Sequence, residues 1–225
     1  VFLSNGVDRV ICREFTDYPA DVLNVTRSDG TAYTYGVTSA DTIGGKYYIW
    51  LPGLAIDSVN FPDDNFRDYV STKFDTDSDG FLSDEECAAV TSITVGRGLA
   101  SEAISTVKGV EYFTELESLR IHGLVNISSI DVSHNTKLKE FYFGQTAITD
   151  IDLSHNTELE KIYCGKLQIT SIDISMLPKL NYFVCSGSAL TQLDVSSNPA
   201  LKTLTINSSQ ISSIDLSNNT VLEQF

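Results

Sequence analysis

The 225-residue sequence has no apolar run approaching the 18 or so residues that a membrane-spanning helix needs, which excludes a span of that kind. Bases are scarce: 15 Lys and Arg stand against 30 Asp and Glu, for a net charge of −15. That balance excludes nucleic acid as a partner, because holding a polyphosphate depends on neutralising it with cations. A single methionine, Met176, leaves no material for the methionine-rich groove that loaded calcium sensors expose. The four cysteines, Cys12, Cys87, Cys164 and Cys185, show neither CxxC nor zinc spacing. They read as free thiols acting as small hydrophobes, with a bridge between Cys164 and Cys185 as the alternative. The opening VFLSNGVDRV lacks the basic and then apolar order of a signal peptide, and NNTVLEQF breaks off inside a repeat. Both suggest a mature or trimmed form of a longer chain. No nucleophile–base–acid set and no phosphate loop is present, so the chain is not read as an enzyme.

What the sequence does have is a period. Ile130-Asp131-Val132, Ile151-Asp152-Leu153, Ile172-Asp173-Ile174, Leu193-Asp194-Val195 and Ile214-Asp215-Leu216 recur every 21 residues, and so do Leu138, Leu159, Leu180, Leu201 and Leu222. Each of the first four of these leucines opens an LxxLxL phrase: LKEFYF, LEKIYC, LNYFVC and LKTLTI. LESLRI from Leu116 lies 22 residues upstream, and VTSITV from Val90 is a looser copy. This is a leucine-rich repeat, in which no single coil can bury its apolar side but a stack of coils buries a continuous core. The predicted fold is an α/β solenoid over residues 90–225. Asparagines 135, 156, 198 and 219 mark one corner of the coil, and Leu177 interrupts them.

Side chains alternate across a strand, so the non-leucine positions of LxxLxLx face the concave side. They fall in three columns: Ser118, Glu140, Lys161, Tyr182, Thr203; Arg120, Tyr142, Tyr163, Val184, Thr205; and His122, Gly144, Gly165, Ser186, Asn207. Tyr142, Tyr163 and Tyr182 are expected to form one exposed aromatic patch with Arg120, Glu140 and Lys161 beside them, which suits a binding surface for a protein or a glycan. Strand propensity and mutual stacking explain the same tyrosines without a ligand. The aspartates at 131, 152, 173, 194 and 215 read as turn-fixing residues, a cation-binding stripe being the lesser alternative. His134 and His155 read as exposed loop residues.

Acidity is concentrated. Ten acids and only two bases, Arg67 and Lys73, lie between Asp57 and Glu86. Within that stretch DTDSDGFLSDEE follows the calcium loop of an EF-hand place by place. Asp75, Asp77 and Asp79 take places 1, 3 and 5, and Gly80 takes the bend at place 6. Phe81 offers a carbonyl at place 7, Ser83 stands at place 9 and Glu86 at place 12. The flank FPDDNFRDYVSTKF has Phe66, Val70 and Phe74 four apart, the stripe of an entering helix. The alternative is a cap that folds without metal, because only one loop is present. Residues 56–89 therefore read as an EF-hand-like helical cap over the open end of the solenoid, with a structural Ca2+ as its expected cofactor.

FPDDNFRDYVSTKFDTDSDGFLSDEE, then VKGVEYFTELESL, then IDLSHNTELEKIYC resembles secreted leucine-rich-repeat proteins of gut bacteria, related in plan to internalins. The resemblance spans roughly residues 56–225. It implies a secreted or surface-displayed, monomeric adhesion or recognition protein with a helical cap and a concave face that grips a partner, and it brings no catalytic residues. The 21-residue length and the IDLSHN phrase depart from internalin repeats. Residues 1–55, with VICREF, VLNVTRSDGTAYTYGVT and GKYYIWLPG, read as a small antiparallel β module whose Tyr47, Tyr48 and Trp50 are core and edge residues or, less favoured, a sugar platform. The alternative function is a structural spacer, a cell-wall-associated element with no specific ligand. Four N-x-S/T sequences, at Asn24, Asn126, Asn207 and Asn218, carry meaning only in a eukaryotic secretory route.

Overall fold

The structure is a computed structural model. It describes the strands between residues 2 and 50 by their backbone, and residues 53–96 and 103–225 throughout. The chain forms two compact units, Val1–Gly53 and Leu54–Phe225. In the first, β1 (Phe2–Ser4), β2 (Arg9–Arg13), β5 (Thr42–Ile43) and β6 (Lys46–Trp50) form an antiparallel sheet in the order β1-β2-β6-β5. β3 (Val22–Thr26) pairs with β4 (Ala32–Gly36). Tyr47, Tyr48 and Trp50 lie on β6, and their side chains fall outside the described residues, as does that of Cys12 on β2.

The second unit opens with β7 (Leu54–Ala55), α1 (Asp64–Phe74), β8 (Phe81–Leu82) and α2 (Asp84–Ala89). Six short strands follow: β9 (Ser92–Thr94), β10 (Ser118–Arg120), β11 (Glu140–Tyr142), β12 (Lys161–Tyr163), β13 (Tyr182–Val184) and β14 (Thr203–Thr205). They pair in parallel, in chain order, one strand per coil. The register is the sequence period itself: Ile93, Leu119, Phe141, Ile162, Phe183 and Leu204 stand side by side, all fully buried. Burying one such side chain contributes on the order of 1.5–3 kcal/mol, so the stack is held mainly by its apolar interior. This part of the second unit is a β-solenoid with coils of about 21 residues.

The α/β expectation needs correcting for the repeats. Among the described residues, the return segments of the coils at 127–222 contain turns and no helix. Their side chains explain why. Asp131, Asp152, Asp173, Asp194 and Asp215 each accept the backbone N–H of the serine two residues on, at 2.9 Å. Such local bonds offer the backbone an alternative to a helical turn. At the next corner Asn135, Asn156, Asn198 and Asn219 are buried, and each donates its amide to carbonyls of the preceding coil. Asn156, for example, bonds the oxygens of Val132 (2.9 Å) and Asn135 (3.0 Å). Leu177 replaces the asparagine in one coil and is fully buried.

A left-handed residue ends the concave strand segment of every coil from the second onward: Gly123 (φ 85°), Gln145 (58°), Lys166 (62°), Gly187 (67°) and Ser208 (59°). Only two of the five are glycine. The position is therefore imposed by coil closure, against a cost of about 1 kcal/mol for a residue with a Cβ. Cys164 and Cys185 occupy equivalent core positions as unbridged thiols, with the Cys185 Sγ donating to the Cys164 carbonyl at 3.1 Å. Burial pushes the Cys164 thiol well above its ordinary range.

Where α1 meets the first coil, Asp63 serves both. One carboxylate oxygen caps the helix by accepting from Phe66 N at 2.9 Å. The other accepts from the backbone N and hydroxyl of Ser105 at 2.8 and 2.7 Å. Phe61, fully buried, packs its ring among Phe66, Tyr112 and Phe113. Gly109 (φ 106°) makes room for it, since a Cβ there would lie 2.3 Å from Phe61 Cδ1.

Candidate functional site

The loop between α1 and α2 is built by its own acids. Asp75 is nearly buried, and its carboxylate accepts from Asp79 N and Gly80 N, both at 3.1 Å. Asp79 turns away to accept from Phe81 N at 2.8 Å. Gly80 holds φ 84°, a bend that a Cβ would strain. Ser83 caps α2, with its side chain accepting from Glu86 N, while Glu86 reaches back to Ser83 N in a reciprocal capping box. The other Glu86 oxygen accepts from the backbone N and hydroxyl of Thr76, each at 2.6 Å. One oxygen each from Asp75, Asp77 and Glu86 lie within 4.8 Å of one another. Three of the six expected ligands therefore converge. Asp79 and Ser83 serve the loop backbone instead, and Phe81 lies on β8.

That strand explains how a single loop is held. Phe81 and Leu82 pair antiparallel with Ala55 and Leu54 of β7, and Ile56 N donates to Gly80 O at 3.0 Å. The segment 54–56 thus braces the middle of the loop from outside. Electrostatically the loop remains in tension. Burial, followed by repulsion from Asp77, Asp75 and Glu86, raises the Asp79 carboxyl. Burial also raises Glu86, but the hydrogen bonds from Thr76 and Ser83 outweigh it and hold that carboxyl at about 2.

The acid response of the fold follows from these shifts. At Asp63 burial works upward, and the bonds from Ser105 and Phe66 overcome it, leaving the carboxyl lowered. The five turn aspartates are lowered chiefly by their serine N–H bonds. A carboxyl lowered by folding stabilises the fold above its unfolded value near 4 and loses that contribution as pH falls through the folded value. Asp79 carries the opposite sign, because burial and then the neighbouring carboxylates disfavour its charged form. Glu140 is lowered too, by its bonds from Lys161 and Arg120. Eight lowered groups against one raised group among the described residues give a melting temperature that is level above about pH 5 and falls between about pH 4 and 2. Thermal unfolding across that range checks this; a flat profile to pH 2 would contradict it.

The concave face is the second candidate. Arg120 lies over the Tyr142 ring, its guanidinium carbon 4.1 Å from the centroid. Glu140 bridges Arg120 at 2.7 Å and Lys161 at 2.8 Å. Tyr142 and Tyr163 stack at 6.1 Å between centroids, and His122 meets the edge of Tyr163 at 5.4 Å. A glycine allows this: a Cβ on Gly144 would fall 2.7 Å from the Tyr163 ring. Tyr182 stands one coil further, in register with Lys161 rather than within the stack. The expected exposed patch of three tyrosines is instead a half-buried stacked pair with the third at its side. All three line one open concavity of ≈ 510 Å³, together with Thr94, Val95, Gly96, Arg120 and His122. Of the five from the first two coils, His122 and the 94–96 segment are not among the expected site residues.

Serine, histidine and aspartate also meet on the outer loops. Ser133 Oγ lies 3.2 Å from His134 Nδ1, and Ser154 Oγ lies 3.1 Å from His155 Nδ1. The aspartate in each case bonds the serine backbone and not the imidazole, so it cannot orient a base. Both histidines are exposed. These are turns.

Neither a protein-family model nor a curated protein matches the sequence. Solved structures do match. An internalin (inlF) from Listeria monocytogenes aligns over 78% of this chain and 58% of its own, with 25% identity and a TM-score of 0.55. The functional domain of InlJ from Listeria monocytogenes, which includes a cysteine ladder, aligns over 78% of this chain and 48% of its own, with 23% identity and a TM-score of 0.51. The chain spans about half the length of these two structures. The fold is thus similar to that of internalin-type leucine-rich-repeat proteins. Among the described residues no helix is long and apolar enough to cross a membrane.

Proposed function

We propose that the chain is a non-enzymatic recognition or adhesion protein of the secreted or surface-displayed kind, engaging its partner through the concave face, with a structural calcium in the helical cap. The observation that carries this is the concavity itself. It gathers three tyrosines and Arg120, residue types that dominate binding energy where they cluster, on a rigid parallel sheet. The internalin-like fold supports the same reading.

Calcium fits the residues of the cap loop. It is a hard cation that takes six to eight oxygens, and Asp75, Asp77 and Glu86 already bring carboxylate oxygens within reach of one centre. Asp79 and Ser83 are the remaining side-chain candidates, with the Phe81 carbonyl. Bound there, the ion would neutralise the repulsion that raises Asp79. β7 takes the place at β8 that a second loop occupies in paired EF-hands, which removes the main objection to a lone loop.

Retention of the labelled chain on immobilised mucin, fibronectin and collagen tests the recognition reading. The parent chain is expected to be retained on at least one of them. The triple variant Tyr142→Ala/Tyr163→Ala/Tyr182→Ala should lose about tenfold or more in affinity, while Met176→Ser, on an exposed loop, should behave as the parent. Equal retention of parent and triple variant sinks the reading. It would favour a structural spacer, for which the observation is that the ion pairs and stack of this face satisfy one another.

A further inference from the structure

We infer that the concavity at the first coils takes a neutral sugar chain, a proposal that rests on the concave-face reading and names its ligand class. The argument starts from charge. Glu140 bridges Arg120 and Lys161 at once, so the charged groups around the site are bound to one another with one positive charge left over. An anion would have to break that bridge and approach a molecule of net charge −15. A cation would meet Arg120 and Lys161 at the rim. A neutral ligand disturbs neither.

The polar groups left for a ligand are neutral too. Among the described residues, the hydroxyls of Tyr142, Tyr163 and Tyr182 have no hydrogen-bond partner, and all three tyrosines line the concavity. A phenol offers one donor, one acceptor site and an apolar ring. A pyranose presents the matching pair of surfaces: C–H patches for ring edges and hydroxyls for phenolic oxygens. At ≈ 510 Å³ the concavity is of small-ligand size.

A peptide fits less well. Extended peptides bind by adding a strand to a sheet edge, and β9 is an edge strand here. Its outward N–H at Thr94 already donates to the Tyr69 hydroxyl of α1 at 3.3 Å. The apolar surface of the concavity is aromatic rather than aliphatic, since Val95, the one aliphatic in the lining, is itself buried in the core.

Calorimetry and saturation-transfer NMR on the intact chain test this. The neutral probes are chitotetraose, maltotetraose, mannotetraose and lacto-N-tetraose; the anionic probes are 3′-sialyllactose and a heparin tetrasaccharide. At least one neutral probe is expected to bind with a dissociation constant at or below about 1 mM. Tyr163→Phe removes one hydroxyl and keeps the stack, so it should weaken binding about fivefold at unchanged melting temperature. Tyr163→Ala should abolish it. No neutral probe binding at about 5 mM, stronger binding of the anionic probes, or parent-like binding by Tyr163→Phe and Tyr163→Ala would each overturn the inference. Should the chain bind an enzymatically deglycosylated protein through the three tyrosines while ignoring every sugar, this inference fails and the concave-face reading stands. Tyrosine-independent binding of both fails the two together.

Discussion

Phe61→Ala will destabilise the second unit by about 3–5 kcal/mol, the range for emptying a buried phenylalanine site. The ring is fully buried between α1 and the first coil, with Phe66, Tyr112 and Phe113 around it. Collapse cannot fill the space readily, because the facing position is Gly109, which has no side chain to relax inward. Three other ties across the same junction, Asp63 to Ser105, Tyr69 to Thr94 and Tyr112 to Asn60, are hydrogen bonds, each worth about 1 kcal/mol net or somewhat more for the charged acceptor. They do not make good the loss. For a chain of this size the melting temperature should fall on the order of 10 °C. Urea unfolding followed by fluorescence measures it, and a loss below about 1 kcal/mol would mean that the ring does not join cap and solenoid.

Calcium should have the next largest effect, and a pair of variants separates its two roles. At a calcium level a hundredfold above the dissociation constant, binding to the folded form alone adds about 2.7 kcal/mol. Chelation should remove that increment. Glu86→Gln leaves one acceptor oxygen where there were two, so either the capping bond to Ser83 or the Thr76 bonds are lost and its effect mixes metal with scaffold. Asp77→Asn is cleaner, because Asp77 is exposed and accepts only a long bond from Asp79 N at 3.2 Å. In chelator this variant should be at least as stable as the parent, since one repelling charge is gone; in calcium it should be less stable. The reversal of order is the signature. The same order in both conditions would leave the loop a shaped turn without a metal.

Those parts of the molecule that depend on repetition were legible in the sequence. Each leucine and each Ile-Asp pair meets its own equivalent in the next coil, so a period of 21 fixes register and core together. The side-chain chemistry of the turns was legible for a related reason: an aspartate and a serine two residues apart carry their bond with them wherever the chain goes. Contacts between unlike parts left no such trace. Nothing in the spacing of Leu54 and Leu82 announces that they pair, and the Tyr69–Thr94 bond joins a helix to a strand edge 25 residues on. The columns placed Tyr182 in line with Lys161, where it stands. The single exposed patch expected of the three tyrosines overlooked that rotamers decide stacking, and Gly144 leaves room for Tyr163 to meet His122. The left-handed position passed unnoticed because Gln145, Lys166 and Ser208 share it with two glycines.

The missing asparagine at Leu177 has a mechanical meaning. Every other junction on that corner from Asn135 onward is latched by two amide bonds to the coil before it, bonds that give way over a fraction of an ångström. At Leu177 the latch is replaced by apolar contact of similar strength, which has no preferred direction and yields by sliding. One junction on that corner, between the coils that carry Tyr142 and Tyr163, is therefore held without the side-chain bonds that tie its neighbours.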